Sequence, residues 1–361
     1  MKIGFLINDL NAGGAERAAV SLANYFAEHG TDTEIITFKE CESFYPLSDK
    51  VTHCAVNFDK IPVALSLKRF TGAIKRMFTL RSFIKSRELD ILIGMSYYMT
   101  WYTVFATVFT KTKSVGTERS NPYKYKATKF NTVMRKLFYR FCDGYVFQTK
   151  KASQFFTGNL KNTDIVIPNA IFNETVYELE PPENREKIIS AVGRLIPLKR
   201  FDILIDAFSL VADKLPEYKL IIFGEGELRN ELESKIKSLS LEDRVFLPGN
   251  NPEAVRFINR TSMFVLSSDL EGMPNALMEA IAMGIPSIST RCDMGPEELI
   301  ENRVNGILTQ VGNSEEIAQA MLEIANNPDF ARKLSENGRK LIKTHSIEEI
   351  SRQWLDFLER V

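Results

Sequence analysis

The 361-residue sequence predicts an α/β fold made of two units, each a parallel sheet covered by helices on both faces. Three observations carry that expectation. Short apolar runs alternate with helix-period segments from the first residues onward. The alternation resets near residue 168 and then begins again. The charge divides in the same way: residues 1–170 hold 24 Lys+Arg against 14 Asp+Glu and the remainder 22 against 32, so a formal net charge of zero conceals a basic half and an acidic half.

Taken in order, KIGFLI (2–7) reads as a first strand bounded by NDLNAGG. An amphipathic helix follows over roughly 15–28, with Gly30 as its C-cap. TEIITF, DILIG, KSVGTE and GYVFQT are further buried strands with helical segments between them. From Ile91 to Thr110 there are twenty uncharged residues, enough to span a bilayer. Gly94, Ser96 and the many Thr and Tyr residues there instead predict a buried strand, a loop and an internal helix. IVIPNAIFN then leads into the Pro- and charge-rich ELEPPENREK. IISAVGR, YKLIIFGEG, RVFLPG, MFVLSS and IPSISTR supply the strands of the second unit. HSIEEISRQWLDFLERV forms a last helix opening on a capping box, Ser346 to Glu349. Two such units joined at a Pro-Asn turn are expected to leave a cleft between them.

Composition excludes several classes. A hydrophobic fraction of 44% with 25% charged residues is ordinary for a globular chain, and zero net charge argues against a nucleic-acid binder. Cys41, Cys54, Cys142 and Cys292 lack CxxC spacing, so neither a zinc site nor a disulfide framework is expected, and a reducing cytoplasm is the simplest setting. The apolar run at the N-terminus is too short for a signal peptide.

Three stretches can carry chemistry. NDLNAGGAE (8–16) follows the first strand and opens the first helix; Gly13 and Gly14 allow close backbone approach, and the helix N-terminus favours an anion. A plain tight turn would use the same residues, and the stretch is not the GxGxxG of a dinucleotide site. GRLIPLKR (193–200) places Arg194 and Lys199 at the C-terminal end of a strand, where open α/β sheets bind ligands and where two cations suit a diphosphate. EGMPNALME (271–279) follows MFVLSS. Pro274 suits the first turn of a helix, which would aim the amides from about Met273 to Ala276 at an anion. Glu271 then lies in the loop before that helix and Glu279 more than a turn inside it, so they cannot share a proton and can instead accept hydrogen bonds from hydroxyls.

EGMPNALMEAIAMGIP resembles the glutamate–seven–glutamate motif of glycosyltransferase family 4, and NAGGAER, IPNAI and GRLIPLKR recur there in the same order. The resemblance runs over nearly the whole chain and points toward enzymes that extend bacterial lipid-linked oligosaccharides and O-antigens, N-acetylgalactosaminyltransferases among them. It implies a GT-B fold of two Rossmann-like domains, here 1–168 with 347–361 for the acceptor and 169–346 for the nucleotide sugar. It also implies retention of anomeric configuration, a UDP-sugar as co-substrate and no metal. By motif, Arg194 and Lys199 would bind the donor diphosphate, Glu279 the ribose, and Glu271 the donor sugar. Gly272, Met273, Pro274, Asn275 and Ala276 would line the donor site, with Gly13 and Gly14 closing over the diphosphate. Many family members carry a histidine after an N-domain strand. The comparable stretch here is GTERSNP, with Glu118, Arg119 and Asn121 on the acceptor side, while His29, His53 and His345 lie elsewhere. In such enzymes the leaving phosphate is often held to take the acceptor proton.

Two acid-free intervals complete the reading. Between Asp59 and Glu88, residues 65–87 form a helix with Leu67, Phe70, Ile74, Met77, Phe78 and Ile84 on one face and Lys68, Arg69, Lys75 and Arg76 opposite, suited to an anionic membrane surface. Arg81 and Lys85 fall on its apolar side and are expected to reach the diphosphate of a polyprenyl-linked acceptor. A core helix with a solvated basic face is the simpler alternative. Between Glu118 and Asp143, basic residues interleave with Tyr and Phe, a pattern shared with RNA binders, but no RNA-recognition motif accompanies it. The expectation is a metal-independent, retaining glycosyltransferase on the inner face of the cell membrane, moving a hexose or N-acetylhexosamine, GalNAc favoured, to a lipid-linked saccharide. The alternatives are a UDP-sugar epimerase of the same fold and a non-catalytic membrane scaffold.

Overall fold

The structure, a computed structural model, describes residues 1–57, 68–124, 126–156, 163–251 and 253–361, with the side chains of all of these except 68–75. They separate into two compact units, Met1–Phe172 with Ile347–Val361, and Asn173–Ser346.

The first unit runs β1 (Lys2–Ile7), α1 (Gly14–Glu28), β2 (Asp32–Thr37), β3 (Thr52–Ala55), α2 (Lys68–Arg87), β4 (Ile91–Gly94), α3 (Tyr97–Thr107), β5 (Lys113–Glu118), α4 (Lys129–Phe141), β6 (Gly144–Phe147), α5 (Lys150–Gln154) and β7 (Asp164–Val166). Among the described residues its strands form one seven-stranded sheet, ordered β3-β2-β1-β4-β5-β6-β7. Every pairing is parallel. Buried on both faces, these strands read as continuous apolar runs rather than alternating ones.

The second unit runs α6 (Thr175–Glu178), β8 (Glu186–Val192), a 3-10 turn at Pro197–Lys199, α7 (Phe201–Ser209), β9 (Lys219–Phe223), α8 (Arg229–Ser238), β10 (Val245–Gly249), α9 (Ala254–Ile258), β11 (Thr261–Leu266), α10 (Asn275–Ala282), β12 (Ser287–Thr290), α11 (Gly295–Leu299), β13 (Ile307–Thr309), α12 (Ser314–Asn326), α13 (Pro328–Arg339) and α14 (Leu341–Thr344). Its six parallel strands are ordered β10-β9-β8-β11-β12-β13. The last helix, α15 (Ile347–Leu358), belongs to the first unit, where Trp354 and Phe357 are buried in the core formed with α1. Each such aromatic contributes about 2–3 kcal/mol by burial.

Several expectations need adjustment. The first helix spans Gly14–Glu28, but its C-cap is His29, with Gly30 following at φ 88°. The twenty uncharged residues resolve into β4, a Ser96 cap accepting from Met99 N at 3.2 Å, and the eleven-residue α3. No helix among the described residues is long and apolar enough to cross a membrane. On α2 the buried side is formed by Leu80 and Ile84, whereas Phe78, expected on the apolar face, is exposed and meets Phe105 edge-on. Strands β3 and β13, four and three residues long, lie outside the runs picked out from sequence, and the three-residue β7 overlaps only the start of IVIPNAIFN.

One buried charge ties three elements of the first unit. Glu34 on β2 accepts from Arg87 Nε and Nη2, at 2.8 and 2.7 Å, and pairs with Lys2 Nζ at 2.9 Å. Burial works to raise its carboxyl, but the hydrogen bonds from Arg87 and Lys2 carry it below the usual carboxylate range. A depressed carboxylate stabilises the fold above its unfolded pKa and loses that contribution as pH falls through the folded value. Glu34→Gln is therefore expected to cost about 2 kcal/mol at pH 7. The difference should shrink toward nothing under acid, and urea unfolding at the two pH values reads it; an equal cost at both would remove the ionic account.

Candidate active site

In an open parallel sheet the loops at the carboxyl ends diverge where the strand order reverses, and ligands bind there. In the second unit the reversal falls between β8 and β11. The loops leaving those strands carry 193–200 and 267–274, so the sheet brings together two motifs that lie far apart in sequence.

Their meeting point is an ion pair. Lys199 Nζ donates to Glu271 Oε1 at 2.6 Å, with both side chains largely shielded from solvent. Ser268 Oγ donates to the same carboxylate oxygen at 2.7 Å. The loops are also joined through their backbones: Ser267 Oγ donates to Lys199 O at 2.8 Å and Asp269 N to Leu198 O at 2.9 Å. Arg200, in the left-handed region at φ 49°, bridges Asp202 and Asp269 and fixes the far side of the turn. Arg194, in contrast, is exposed.

Glycines set the closeness of this framework. A Cβ on Gly224, at φ 141°, would meet Gly193 O at 1.9 Å, and one on Gly295 would meet Gly272 O at 2.0 Å. Gly295 N donates to Gly272 O at 2.7 Å, which pins the start of the 272–274 loop. Pro274 is the N-cap of α10, and the helix begins at Asn275, so Asn275, Ala276 and Leu277 supply the N-terminal amides that lie before the first α-helical hydrogen bond, from Met278 N to Pro274 O. Met273 is buried, and Glu279 is buried inside α10. Cys292 was not singled out from sequence. Burial, and secondarily the Glu271 carboxylate nearby, push its thiol up to about 12, so it is held neutral.

The first unit has a corresponding edge, with its reversal between β1 and β4. Gly13 is the N-cap of α1 in an extended conformation, and Gly14 is the first helical residue. The Glu16 carboxylate folds back over Gly13, 2.1 Å from where a Cβ would stand. Burial raises the Glu16 carboxyl, its own amide lowers it, Asp9 adds to the rise and Arg119 opposes it. Arg119, which burial brings down to about 10, donates to Asn169 Oδ1 at 2.6 Å. Gln148, with its amide turned to satisfy its neighbours, donates to Arg119 O at 3.0 Å and accepts from Arg119 Nη2 at 3.0 Å. Glu16 and Asn169 were missed as individuals, although both lie inside quoted motifs; Glu16 stands at the N3 position where a capping-box acid belongs.

Glu118 is fully buried. It accepts from Ser120 Oγ at 2.6 Å and pairs with Arg135 Nε at 3.1 Å, while the Arg135 guanidinium lies 3.9 Å from the Tyr97 ring centroid. Burial pushes its carboxyl up and the Arg135 charge works against that. Asn121 is buried too, its Oδ1 accepting from Tyr123 N at 3.0 Å. Of the acceptor residues expected on α2, the side chains of Lys68, Arg69 and Lys75 lie outside the described residues. Arg76 is half-buried and within electrostatic reach of Tyr102, and Lys85 is exposed. Arg81 donates to Phe105 O and Ala106 O, at 3.2 and 3.4 Å, so its place on the apolar side of α2 is matched by the open carbonyls at the end of α3.

Two parallel-sheet domains of seven and six strands make up the GT-B fold, which the solved structures below share. Residues 12–172 match Glycosyltransferase Family 4 and residues 176–341 match Glycosyl transferases group 1, so each unit carries a glycosyltransferase domain. It is 29% identical, over 100% of its length and 99% of the other's, to a Campylobacter jejuni enzyme named GalNAc-alpha-(1->4)-GalNAc-alpha-(1->3)-diNAcBac-PP-undecaprenol alpha-1,4-N-acetyl-D-galactosaminyltransferase. Among solved structures, sucrose-phosphate synthase from Thermosynechococcus elongatus superposes with a TM-score of 0.84 at 17% identity, covering 99% of this chain and 98% of that one. Anabaena Alr3699/HepE in complex with UDP and glucose does so with 0.79 at 19% identity, each chain covered over 100%.

The buried pair beneath the 118–121 loop gives a stability test. Arg135→Ala should cost about 3–5 kcal/mol by leaving a buried carboxylate unpaired. Glu118→Leu/Arg135→Met should recover most of that loss in a urea double-mutant cycle, and additive losses would refute the coupling.

Proposed function

We propose that this glycosyltransferase moves a hexose or N-acetylhexosamine, with N-acetylgalactosamine favoured, from a UDP-sugar to a polyprenyl-diphosphate-linked saccharide at the membrane, with retention and without a metal ion. The observation that carries this reading is the Lys199–Glu271 pair at the switch point of the second sheet, beside the N-terminal amides of α10. The named substrate of the Campylobacter relative and the UDP in the Anabaena structure support it.

In this reading Arg194 and Lys199 receive the donor diphosphate and offset the charge that builds on it as the bond to the sugar's anomeric carbon breaks. The α10 amides add fixed dipoles at the same place. Glu271, held by Ser268, accepts hydrogen bonds from donor-sugar hydroxyls, and Glu279 those of the ribose. As the acceptor hydroxyl oxygen bonds to the anomeric carbon, its proton passes to an oxygen of the departing phosphate. The two cations take the part a metal plays in other sugar transfers.

The test is a panel of UDP- and GDP-sugars, read by thermal shift and by nucleotide release with and without a lipid-linked acceptor. One UDP-sugar should stabilise the protein and release UDP slowly. Stabilisation with conversion to an isomeric UDP-sugar and no acceptor demand would mark an epimerase, and silence across the panel would favour a scaffold. Lys199→Ala should reduce transfer about a hundredfold or more while leaving the melting temperature near that of the parent. Near-normal turnover in that variant would remove the diphosphate assignment.

A further inference from the structure

The outer face of α4 is apolar and turned to solvent. Phe130, Val133, Leu137 and Phe141 recur at spacings of three and four and fall within roughly 80° of arc on a helix. All four are exposed, Phe130 at 66% and Phe141 at 61%. The opposite side of the helix is occupied: Arg135 and Tyr139 are buried, and Phe138 stacks on Trp101 of α3 at 5.6 Å.

The apolar strip continues past the helix end. Phe141 borders a groove of about 250 Å³ together with Val108 and Phe109, in the turn between α3 and β5. Phe109 is 95% exposed, and its φ of 57° lies in the left-handed region that bulky side chains avoid. A strained turn therefore holds an aromatic ring out into water beside the strip. Along one margin of the strip, Lys129, Lys136 and Arg140 are exposed, about 80–120° round the helix from Phe130. No acidic residue occurs in sequence between Glu118 and Asp143, and Asp143, which also lines the groove, pairs with Lys113 at 3.5 Å.

An exposed apolar row marks a surface of association. A row of cations along its margin suits a surface that is apolar below and anionic above, the profile of a lipid headgroup region. We propose that the outer face of α4, extended by the Phe109 turn, is the surface by which this protein docks on an anionic bilayer. Phe109, Phe130, Leu137 and Phe141 enter the acyl boundary, and Lys129, Lys136 and Arg140 meet headgroup phosphates. The inference rests on the reading that the acceptor is lipid-linked, and it adds where the enzyme seats.

Flotation of the full-length protein with phosphatidylcholine vesicles, with and without phosphatidylglycerol, tests it. The parent should float with the anionic vesicles. Phe130→Ser/Leu137→Ser/Phe141→Ser and Lys129→Gln/Lys136→Gln/Arg140→Gln should each weaken that binding about tenfold or more. Every altered side chain is exposed, so the melting temperature and transfer to a water-soluble acceptor should stay at parental values. Parental flotation by the apolar triple variant would overturn the proposal. So would a parent that fails to float but forms dimers that this variant abolishes, which would make the strip a contact between copies. Flotation needs no turnover, so the docking surface and the transferase reading fail separately.

Discussion

The constraint on which the rest depends is that every strand pairing in both sheets is parallel. Parallel neighbours cannot be joined by a tight turn, so each connection crosses a face of the sheet and returns, and all the loops that follow strands gather at one edge. The crossovers change direction once per sheet, at β1/β4 and at β8/β11, and adjacent loops part only there. The side chains of Lys199 and Glu271 can then meet across the opening although 72 positions separate them.

Charge is handled differently at the two edges. The second unit keeps Arg194 exposed and leaves Lys199 and Glu271 paired with each other and partly open to solvent. The first unit withdraws its charges. Glu118 and Arg135 are wholly buried and Tyr97 covers the guanidinium, while Arg119 is taken up by Asn169 and Gln148. A buried pair of this kind contributes modestly to stability as a whole but penalises heavily any rearrangement that separates it. The 118–121 loop therefore has one well-defined shape.

Much of the architecture was legible because many buried parallel strands are short continuous apolar runs, as in KIGFLI and ILIG. β3, β7 and β13 were not, since at three or four residues, and with β3 and β7 at the edges of the sheet, they carry too little pattern. The site motifs were readable as loops, and their glycines as close approaches. Which side chains pair across those loops was not, because spacing says nothing about partners from another strand. Charge patterning misled where a charge faces inward. Arg135 is core although it looked like part of a basic patch, and that single fact turns the apolar side of α4 outward. Arg81 looked misplaced on α2 until the carbonyls at the end of α3 accounted for it.

The glycine contacts around the second site have a bearing on how such an enzyme changes its donor over evolutionary time. Gly193 against Gly224, and Gly272 against Gly295, are backbone-on-backbone contacts with no room for one added carbon. The loops therefore behave as a rigid frame whose outline does not drift by small steps. In the proposed reading, sugar preference is then set by the side chains mounted on that frame rather than by its backbone.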